Sequence, residues 1–205
     1  MATRTSLVGV EGKQRGGGAD RPKAAERIRT AAEDLFHRQG IRATGIEEVC
    51  RAAGATKMSL YRAYPSKDAL VAAILGEDAG AYDAWFAEAT AQAETPAAKL
   101  RAAVEAFAAK LEQPDHRGCP LLLAQAEFPD PEHPTHRLVA GHKRRMREAL
   151  AGLAEEAGAE RPALVGDTLA ILIDGAWSTV PYMGGDRAAE VLRSAAGVVL
   201  QDALP

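Results

Sequence analysis

The chain has little cysteine and no long hydrophobic run. Its only two cysteines, Cys50 and Cys119, show no CxxC spacing, so neither a disulfide framework nor a zinc knuckle is indicated, and we expect both to be reduced. No segment approaches the roughly 18 uninterrupted apolar residues of a membrane-spanning helix. The first residues also lack the apolar core of a signal peptide. We therefore expect a cytoplasmic protein that does not associate with a membrane.

Strand-like alternation of apolar and polar residues and internal repeats are missing too. Helical periodicity instead runs through nearly all of the sequence after the first 20 residues. A chain of 205 residues is long enough for one fair-sized domain or two small ones. The pattern predicts an all-α protein.

A large excess of charge of one sign is also missing, because the formal net charge is only −3. The charges are nevertheless unevenly distributed. Residues 1–70 hold 13 Lys and Arg against 8 Asp and Glu, whereas residues 71–205 hold 12 against 20. A basic end can neutralise phosphates and release counterions, while an acidic remainder keeps the rest of the molecule off the nucleic acid. This asymmetry favours nucleic-acid binding by the amino-terminal end.

The basic end begins with a predicted flexible arm and a first helix. Residues 1–20 are rich in Gly, Thr, Ser and Arg and have no apolar period, which is typical of a flexible segment. Asp20-Arg21-Pro22 predicts the start of a helix, and Gly40 predicts its end. Thr44-Gly45-Ile46-Glu47 has the form of a capping box, which predicts the start of a second, short helix.

A third short helix follows the second after a tight turn. Gly54 permits the turn, and Thr56 is predicted to cap the next helix, which cannot continue through Pro65. Two short helices joined by a glycine turn form a helix-turn-helix, whose second helix enters the major groove of DNA.

Six further helices are predicted in the acidic remainder, of which the last two differ from the others. Their start or end signals are Ser66, Thr95-Pro96, Pro120, Gly158, Pro162 and Asp186. The helix from Pro162 to Met183 is apolar on more than one face. We therefore expect it to bury one face in its own subunit and another against a partner, together with the last helix.

Residues 44–70, TGIEEVCRAAGATKMSLYRAYPSKDAL, resemble the DNA-binding domain of the tetracycline-repressor (TetR) family. The likeness includes the Thr-Gly-Ile opening, the Ala-Ala-Gly turn at 52–54 and the aromatic-rich exit at 60–67. Ala63 stands where an aromatic residue is frequent and Met58 where a small residue is usual, so base specificity does not carry over. The resemblance implies a flexible arm at 1–20, a helix-turn-helix DNA-binding domain at 21–66 and a helical effector-binding and dimerisation domain at 67–205.

The family resemblance also implies a function, that of a repressor released from its operator by a small molecule. Pairing of two subunits through their last two helices would set the recognition helices about one DNA turn (~34 Å) apart on a palindromic operator. An effector that fits better when the heads are splayed would then shift the population away from the DNA-competent form. Neither a cofactor nor enzymatic activity is expected.

The predicted DNA contacts lie on or beside the third helix. Lys57 and Arg62 can donate hydrogen bonds to guanine, and the Ser59 hydroxyl can form hydrogen bonds with several bases. Met58 can contact a thymine methyl group. The remaining candidates are expected at phosphates or at the helix start, namely Thr44, Thr56, Tyr61, Tyr64 and Lys67.

Four of these residues have a simpler alternative interpretation. Tyr61 or Tyr64 can be an apolar wedge beneath the helix. Thr44 can be only a cap, and Lys67 can be only a solvated charge in the first turn of the next helix. The sequence leaves these alternatives open.

The effector pocket implied by the resemblance has its candidates among large side chains of the middle helices. These candidates are Trp85, Phe86, Phe107, Cys119, His142, Met146 and Trp177. Each of them can equally be plain core. A pocket with this composition, rich in aromatic rings and poor in charge, suits a small apolar or aromatic effector.

Histidines near Cys119 suggest two other kinds of site. His133 and His136 flank Pro134 and no HExxH arrangement is present, so no metal site is predicted. One alternative function is a helical enzyme in which Cys119 acts as a nucleophile with His116 or another histidine. Cys119 can also be a redox sensor or simply a small buried residue. A DNA-binding protein without an effector is the second alternative. The run Lys143-Arg144-Arg145 is interpreted as a solvated helix face.

Overall fold

A computed structural model describes residues 23–114 and 118–205 of the chain, without the side chain of residue 78. Within these residues the chain forms helices and no strand, which confirms the all-α prediction. The helices are α1 (Ala24–Gln39), α2 (Ile46–Ala53), α3 (Lys57–Ala63), α4 (Lys67–Ala91), α5 (Pro96–Leu111), α6 (Pro120–Glu127), α7 (Pro134–Glu156), α8 (Pro162–Met183) and α9 (Gly185–Ala203). The predicted arm at 1–20 and the start signal Asp20-Arg21-Pro22 lie outside the described residues.

Helices α1, α2 and α3 form a small head around one apolar cluster. Ile28, Val49 and Leu60, one from each helix, are at most 1% exposed. Gly54 lies in the left-handed region with φ 57°, which glycine adopts without steric cost, and it turns the chain from α2 into α3. Thr56 caps α3 by accepting a hydrogen bond at 3.1 Å from the backbone N–H three residues later. The predicted turn and cap are confirmed.

The predicted capping box at the start of α2 is wrong. Gly45 is the N-cap residue of α2 and no side chain caps the helix there. The Thr44 hydroxyl donates instead to the Gly40 carbonyl oxygen at 2.7 Å and accepts from the Gln39 side-chain amide at 3.3 Å. Thr44 therefore satisfies polar groups at the end of α1 and fixes the loop between α1 and α2.

Two long helices beyond the head begin where the sequence predicted. Ser66 caps α4 and Thr95 caps α5, each by accepting a backbone N–H at 3.0 and 3.2 Å respectively. Pro96 and Pro162 stand in the first turns of α5 and α8, where a missing N–H costs nothing. Local start signals were sufficient to place these helices.

Helix α4 belongs to two apolar clusters at once. Leu70 and Ile74 lie in the head cluster, which contains the core residues of α1, α2 and α3 together with Leu121 and Ala124 of α6 and Val139 of α7. Tyr82 and Trp85, further along α4, pack against a second cluster built from α5, α7, α8 and α9, which we call the body cluster. The predicted domain boundary at residue 66 falls at the start of α4, and the first part of α4 still packs in the head cluster. The boundary therefore remains a prediction.

Helices α7 and α8 pack unusually closely in the body cluster. A Cβ atom on Gly166 would lie 2.7 Å from the Ala151 backbone nitrogen and 2.9 Å from the Arg147 carbonyl oxygen. Helix α8 is long and apolar enough, by length and composition alone, to cross a membrane, a test that core helices of soluble proteins also pass. Its apolar surface is indeed two-sided, because Leu169 is fully buried while Ile171 is 71% exposed.

Candidate DNA-binding surface and effector pocket

The outer face of α3 presents four of the predicted DNA contacts. Met58 is 81% and Tyr61 is 47% exposed, and the side chains of Lys57 and Arg62 are exposed as well. Leu60 anchors the opposite face of α3 in the head cluster with no exposed surface. The helix therefore offers two cations, one thioether and one phenol to any partner outside the head.

The start of α3 carries two hydroxyl groups that bond to each other. The Thr56 and Ser59 oxygens are 3.0 Å apart, and the Thr56 oxygen also accepts the Ser59 backbone N–H. Thr56 is exposed and Ser59 is half-buried. The cap role of Thr56 therefore leaves its hydroxyl at the surface next to Lys57.

Lys57 forms an ion pair with Glu47 across the turn between α2 and α3. The Lys57 Nζ atom lies 2.5 Å from Glu47 Oε1, with side chains 55% and 73% exposed. This hydrogen bond and the charges of the pair raise the pKa of Lys57 and lower the pKa of Glu47. Exposed ion pairs of this kind are weak, so Lys57 can exchange this partner for another anion.

The other phosphate candidates are held more tightly within the protein. Tyr64 is half-buried against the head cluster and donates from its hydroxyl to the Ala25 carbonyl oxygen at 3.4 Å, which favours the wedge interpretation. Lys67 Nζ donates to the Arg42 carbonyl oxygen at 3.3 Å, and partial burial lowers the pKa of Lys67. Thr44 is only 1% exposed, so its predicted phosphate contact is corrected to the internal role described above.

A cavity of about 230 Å³ lies between α4, α5, α7 and α8 in the body. Six of the seven predicted effector residues line it, namely Trp85, Phe107, Cys119, His142, Met146 and Trp177. Phe86 does not line it but packs against Phe107, with ring centroids 6.4 Å apart, on the core side of α4. The prediction for Phe86 as a pocket residue is therefore wrong.

Aromatic rings form the walls of this cavity. The Trp85 and Phe107 rings meet edge to face at 5.1 Å, and the Phe107 and Trp177 rings do so at 6.0 Å. Lys110 Nζ lies 4.7 Å from the centre of the Trp85 ring, a cation–π contact that keeps this ammonium group on the indole face. The cavity wall is thus mostly apolar.

Two polar atoms of the cavity wall lack a hydrogen-bond partner among the described residues. These are the Tyr82 hydroxyl and the His142 Nδ1 atom, both fully shielded from solvent. The Tyr82 and His142 rings meet edge to face at 4.6 Å. Burial raises the pKa of Tyr82 and lowers the pKa of His142, and the neighbouring Lys143 charge lowers the latter further. Both side chains are neutral at pH 7. Tyr82 was not predicted from the sequence.

Charged side chains also reach the cavity, contrary to the predicted solvated face. Lys143 of α7 lines the cavity, is 16% exposed, and pairs with Asp174 of α8 at 2.5 Å. The interpretation of Lys143 as solvated is therefore wrong, because helix α8 covers this side of α7. No pattern within either helix alone shows this pair, since the partners are far apart in sequence.

Cys119 stands at the N-cap of α6, where it is 9% exposed. Its Sγ atom lies 3.9 Å from Lys143 Nζ. Burial raises the pKa of the Cys119 thiol, and this effect outweighs the opposite influence of the Lys143 charge. A buried thiol with a raised pKa is a poor nucleophile, so the geometry does not support the Cys–His enzyme. His116, its nearest candidate partner in sequence, lies outside the described residues.

The remaining predicted histidines have structural contacts. His133 caps α7, its Nδ1 accepting from the Thr135 backbone N–H at 3.2 Å, and His136 Nδ1 lies 3.1 Å from the Phe128 carbonyl oxygen. In the part of the chain that the structure describes, no three His, Cys, Asp or Glu side chains converge as metal ligands would.

A carboxylate at the far end of α6 joins the body to the head. Glu127 accepts hydrogen bonds from the backbone N–H groups of Ile41 at 2.7 Å and Arg42 at 2.6 Å, in the loop between α1 and α2. The other end of α6 lines the cavity with Pro120 and Leu121. A single short helix thus contacts both candidate sites. The Glu127 contact was not predicted from the sequence, because its partners lie about 85 residues away.

Comparison with known proteins assigns both halves of the chain. The family model described as "Bacterial regulatory proteins, tetR family" matches residues 28–74, and the model "Tetracyclin repressor-like, C-terminal domain" matches residues 96–183. The HTH-type transcriptional regulator YjdC of Escherichia coli K12 is 26% identical over 145 residues, which cover 70% of this chain and 76% of that protein.

Solved structures agree with this assignment. SCO4454, a TetR-family transcriptional regulator from Streptomyces coelicolor, superposes with a TM-score of 0.85 at 28% identity, covering 88% of this chain and 95% of that one. The reduced form of E. coli NemR has a TM-score of 0.76 at 18% identity, covering 89% and 97%. At that identity the second likeness concerns the fold alone.

Proposed function

Because the chain belongs to the TetR family of DNA-binding transcriptional regulators, we propose that it is a homodimeric repressor released from a palindromic operator by a small apolar or aromatic effector. Regulators of this family bind operator DNA as dimers and respond to small molecules. The observation that carries the proposal is one short helix, α6, with the aromatic cavity at one end and the DNA-binding head at the other. Because its target is DNA, we also propose a cytoplasmic location.

The outer face of α3 is the proposed reading surface. Lys57 and Arg62 are the proposed donors to guanine, Met58 is proposed to touch a thymine methyl group, and Ser59 adds a hydroxyl at the helix start. Tyr61, Lys67 and the exposed Thr56 hydroxyl are proposed to contact phosphates. The roles of Lys57, Met58, Tyr61 and Arg62 are supported by their exposure on one side of α3, whose other side is anchored by Leu60.

The exposed apolar surface of α8 and α9 supports pairing of two subunits. Leu164 and Ile171 of α8 are 47% and 71% exposed, and Val191 and Val198 of α9 are 41% and 64% exposed. Removing such a surface from water is the main favourable contribution to protein association. Contact between this surface and the same surface of a second subunit would form a symmetric dimer with two DNA-binding heads.

A gel-shift titration on the promoter next to the gene tests the reading surface. We expect Arg62→Ala to weaken operator binding by roughly 5- to 150-fold, the range for one lost bidentate base contact of about 1–3 kcal/mol. Arg144→Ala is the matched control, because Arg144 is an exposed arginine of α7 whose ion-pair partner Glu148 is equally exposed. Equal affinity of the Arg62→Ala variant and the control would refute the assigned face.

Salt dependence separates phosphate contacts from base contacts. We expect Lys67→Ala to lower the slope of log K against log salt concentration by about one, since one counterion fewer is released. Base preference should stay unchanged in this variant. An unaltered slope would show that Lys67 does not contact a phosphate and that its role is the hydrogen bond to the Arg42 carbonyl oxygen.

A further inference from the structure

From the two unpartnered polar atoms in the aromatic cavity we infer that the effector is a neutral, single-ring aromatic alcohol whose hydroxyl group lies between Tyr82 and His142. The inference rests on the proposed effector role of this cavity and names the chemical class of the ligand. Its support comes from the volume, the wall and the polar atoms of the cavity, considered in turn.

The volume of the cavity suits a ligand of about nine or ten non-hydrogen atoms. An apolar protein cavity of roughly 150 Å³ takes up benzene, which has six such atoms. In proportion, the 230 Å³ cavity admits one aromatic ring with a short substituent. The edge-to-face rings of Trp85, Phe107 and Trp177 offer such a ring the geometry that aromatic pairs prefer.

The polar atoms of the wall match a hydroxyl group in particular. A buried donor or acceptor without a partner is unfavourable. His142, which is only 3% exposed, has such an atom at Nδ1, and its ring meets the ring of Tyr82, which has another at its hydroxyl. A ligand hydroxyl donates one hydrogen bond and accepts another at the same time. Neither atom has accessible surface in the cavity as the structure shows it, so the Tyr82 or His142 side chain must rotate to meet the ligand. After that rotation the hydroxyl donates to an unprotonated His142 Nδ1 while it accepts from Tyr82, and both atoms gain a partner.

A carboxylate ligand fits this wall less well. Tyr82 and His142 are both neutral at pH 7, and Lys143 is already engaged with Asp174 at 2.5 Å. Lys110 lies over the Trp85 ring and so points its charge at an aromatic face. An anion that enters this cavity loses its hydration without a full replacement, which is costly in an apolar surrounding. A phenol, with a pKa near 10, enters uncharged.

Intrinsic fluorescence measures binding directly, because Trp85 and Trp177 are the only tryptophans in the chain and both line the cavity. The full-length protein is titrated, without DNA, with 4-propylphenol, with 4-propyltoluene, in which a methyl group replaces the hydroxyl, and with 4-methylbenzoate, a carboxylate with the same number of non-hydrogen atoms. We expect 4-propylphenol to bind about tenfold more tightly than 4-propyltoluene, as for one net hydrogen bond of typical strength. We expect 4-methylbenzoate to bind more weakly than both, because it carries a charge into an apolar cavity.

The Tyr82→Phe variant tests the position of the hydroxyl group. This change removes an oxygen atom that has no partner in the described structure, so the variant should melt at or above the wild-type temperature. It should lose most of the tenfold preference for the phenol while its affinity for 4-propyltoluene stays the same. Tyr182→Phe, at a tyrosine 77% exposed on α8, is the matched control and should keep the preference.

Three results would overturn the inference. They are equal binding of the phenol and the toluene by the wild-type protein, stronger binding of the benzoate than of the phenol, and an equal loss of affinity for phenol and toluene in Tyr82→Phe. Failure of the proposed repressor function gives a different result. In that case 4-propylphenol would bind with the expected preference but leave the operator complex intact in a gel shift.

Discussion

Replacing Glu127 by alanine should loosen the head from the body without removing any core residue. The Glu127 carboxylate accepts two backbone N–H groups, from Ile41 and Arg42, at 2.7 and 2.6 Å. Hydrogen bonds to a charged group contribute about 1.5–3 kcal/mol each when buried, but this carboxylate is half-exposed. We therefore expect Glu127→Ala to lower the free energy of unfolding by about 2 kcal/mol in total.

The amide variant gives an intermediate result that is specific to this geometry. Glu127→Gln keeps one acceptor oxygen but places an NH₂ group opposite the second backbone N–H, so it should lose about 1 kcal/mol. Glu132→Ala is the control, because Glu132 is 87% exposed and pairs only with the exposed Arg137. It should change the free energy of unfolding by less than about 0.5 kcal/mol.

Urea denaturation and amide hydrogen exchange together measure this effect. Denaturation gives the global loss of stability, while exchange at Ile41 and Arg42 reports whether the loss arises at the bonds in question. Both amides should exchange faster in Glu127→Ala and at the wild-type rate in the control. Unchanged exchange at these two amides, together with wild-type stability, would refute the view that Glu127 ties α6 to the head.

Three further predictions concern the subunit interface, the helix packing and the effect of acid. Ile171→Asp places a charge on the exposed apolar face of α8, so we expect the variant to be monomeric in analytical ultracentrifugation and to lose operator binding. A stable dimer of this variant would contradict the proposed interface. Gly166→Ala should lower the melting temperature, because its Cβ would lie 2.7 Å from the α7 backbone. Gly76→Ala is the control and should raise the melting temperature slightly, because Gly76 lies on an exposed part of α4 with no atom within 4 Å. Equal shifts in the two variants would argue against close α7–α8 packing. Burial lowers the pKa of His142 below the ordinary value near 6.5, so the unfolded chain takes up a proton that the folded chain does not, and stability should fall as the pH drops through 6.5. His142→Gln should therefore lose less stability than the wild type between pH 7 and pH 5 in urea titrations, and an identical loss would contradict a buried neutral His142.

Helix starts were predictable from the sequence wherever the cap is a local interaction. Thr56, Ser66 and Thr95 each bond to a backbone N–H three residues later, and the pattern that predicts such a bond lies entirely within one turn. Thr44 has the same sequence pattern, but its hydroxyl turns back to the Gly40 carbonyl oxygen at the end of α1. The choice between these two partners depends on the path of the loop, which the residues 44–47 do not determine.

The aromatic wall of the cavity was predictable, but its polar atoms were not. Large rings at inward positions of amphipathic helices are recognisable from periodicity, and Trp85, Phe107 and Trp177 were found in this way. Asp174 and Lys143 lie on different helices, and each alone looks like an ordinary solvated charge. Only the packing of α8 against α7 brings them together at 2.5 Å.

The two ends of α6 give a physical route by which the proposed effector would affect DNA binding. At its start, Gly118 has φ 94°, and a Cβ there would lie 3.3 Å from the Trp177 carbonyl oxygen, so the chain runs close against α8. At its end, Glu127 is bonded to the head. A helix of eight residues is a stiff rod of about 12 Å, so a displacement at one end cannot be absorbed within it. We therefore expect a ligand that moves Trp177 to shift the loop between α1 and α2 or to break the Glu127 contacts, and either change would alter how the head is held.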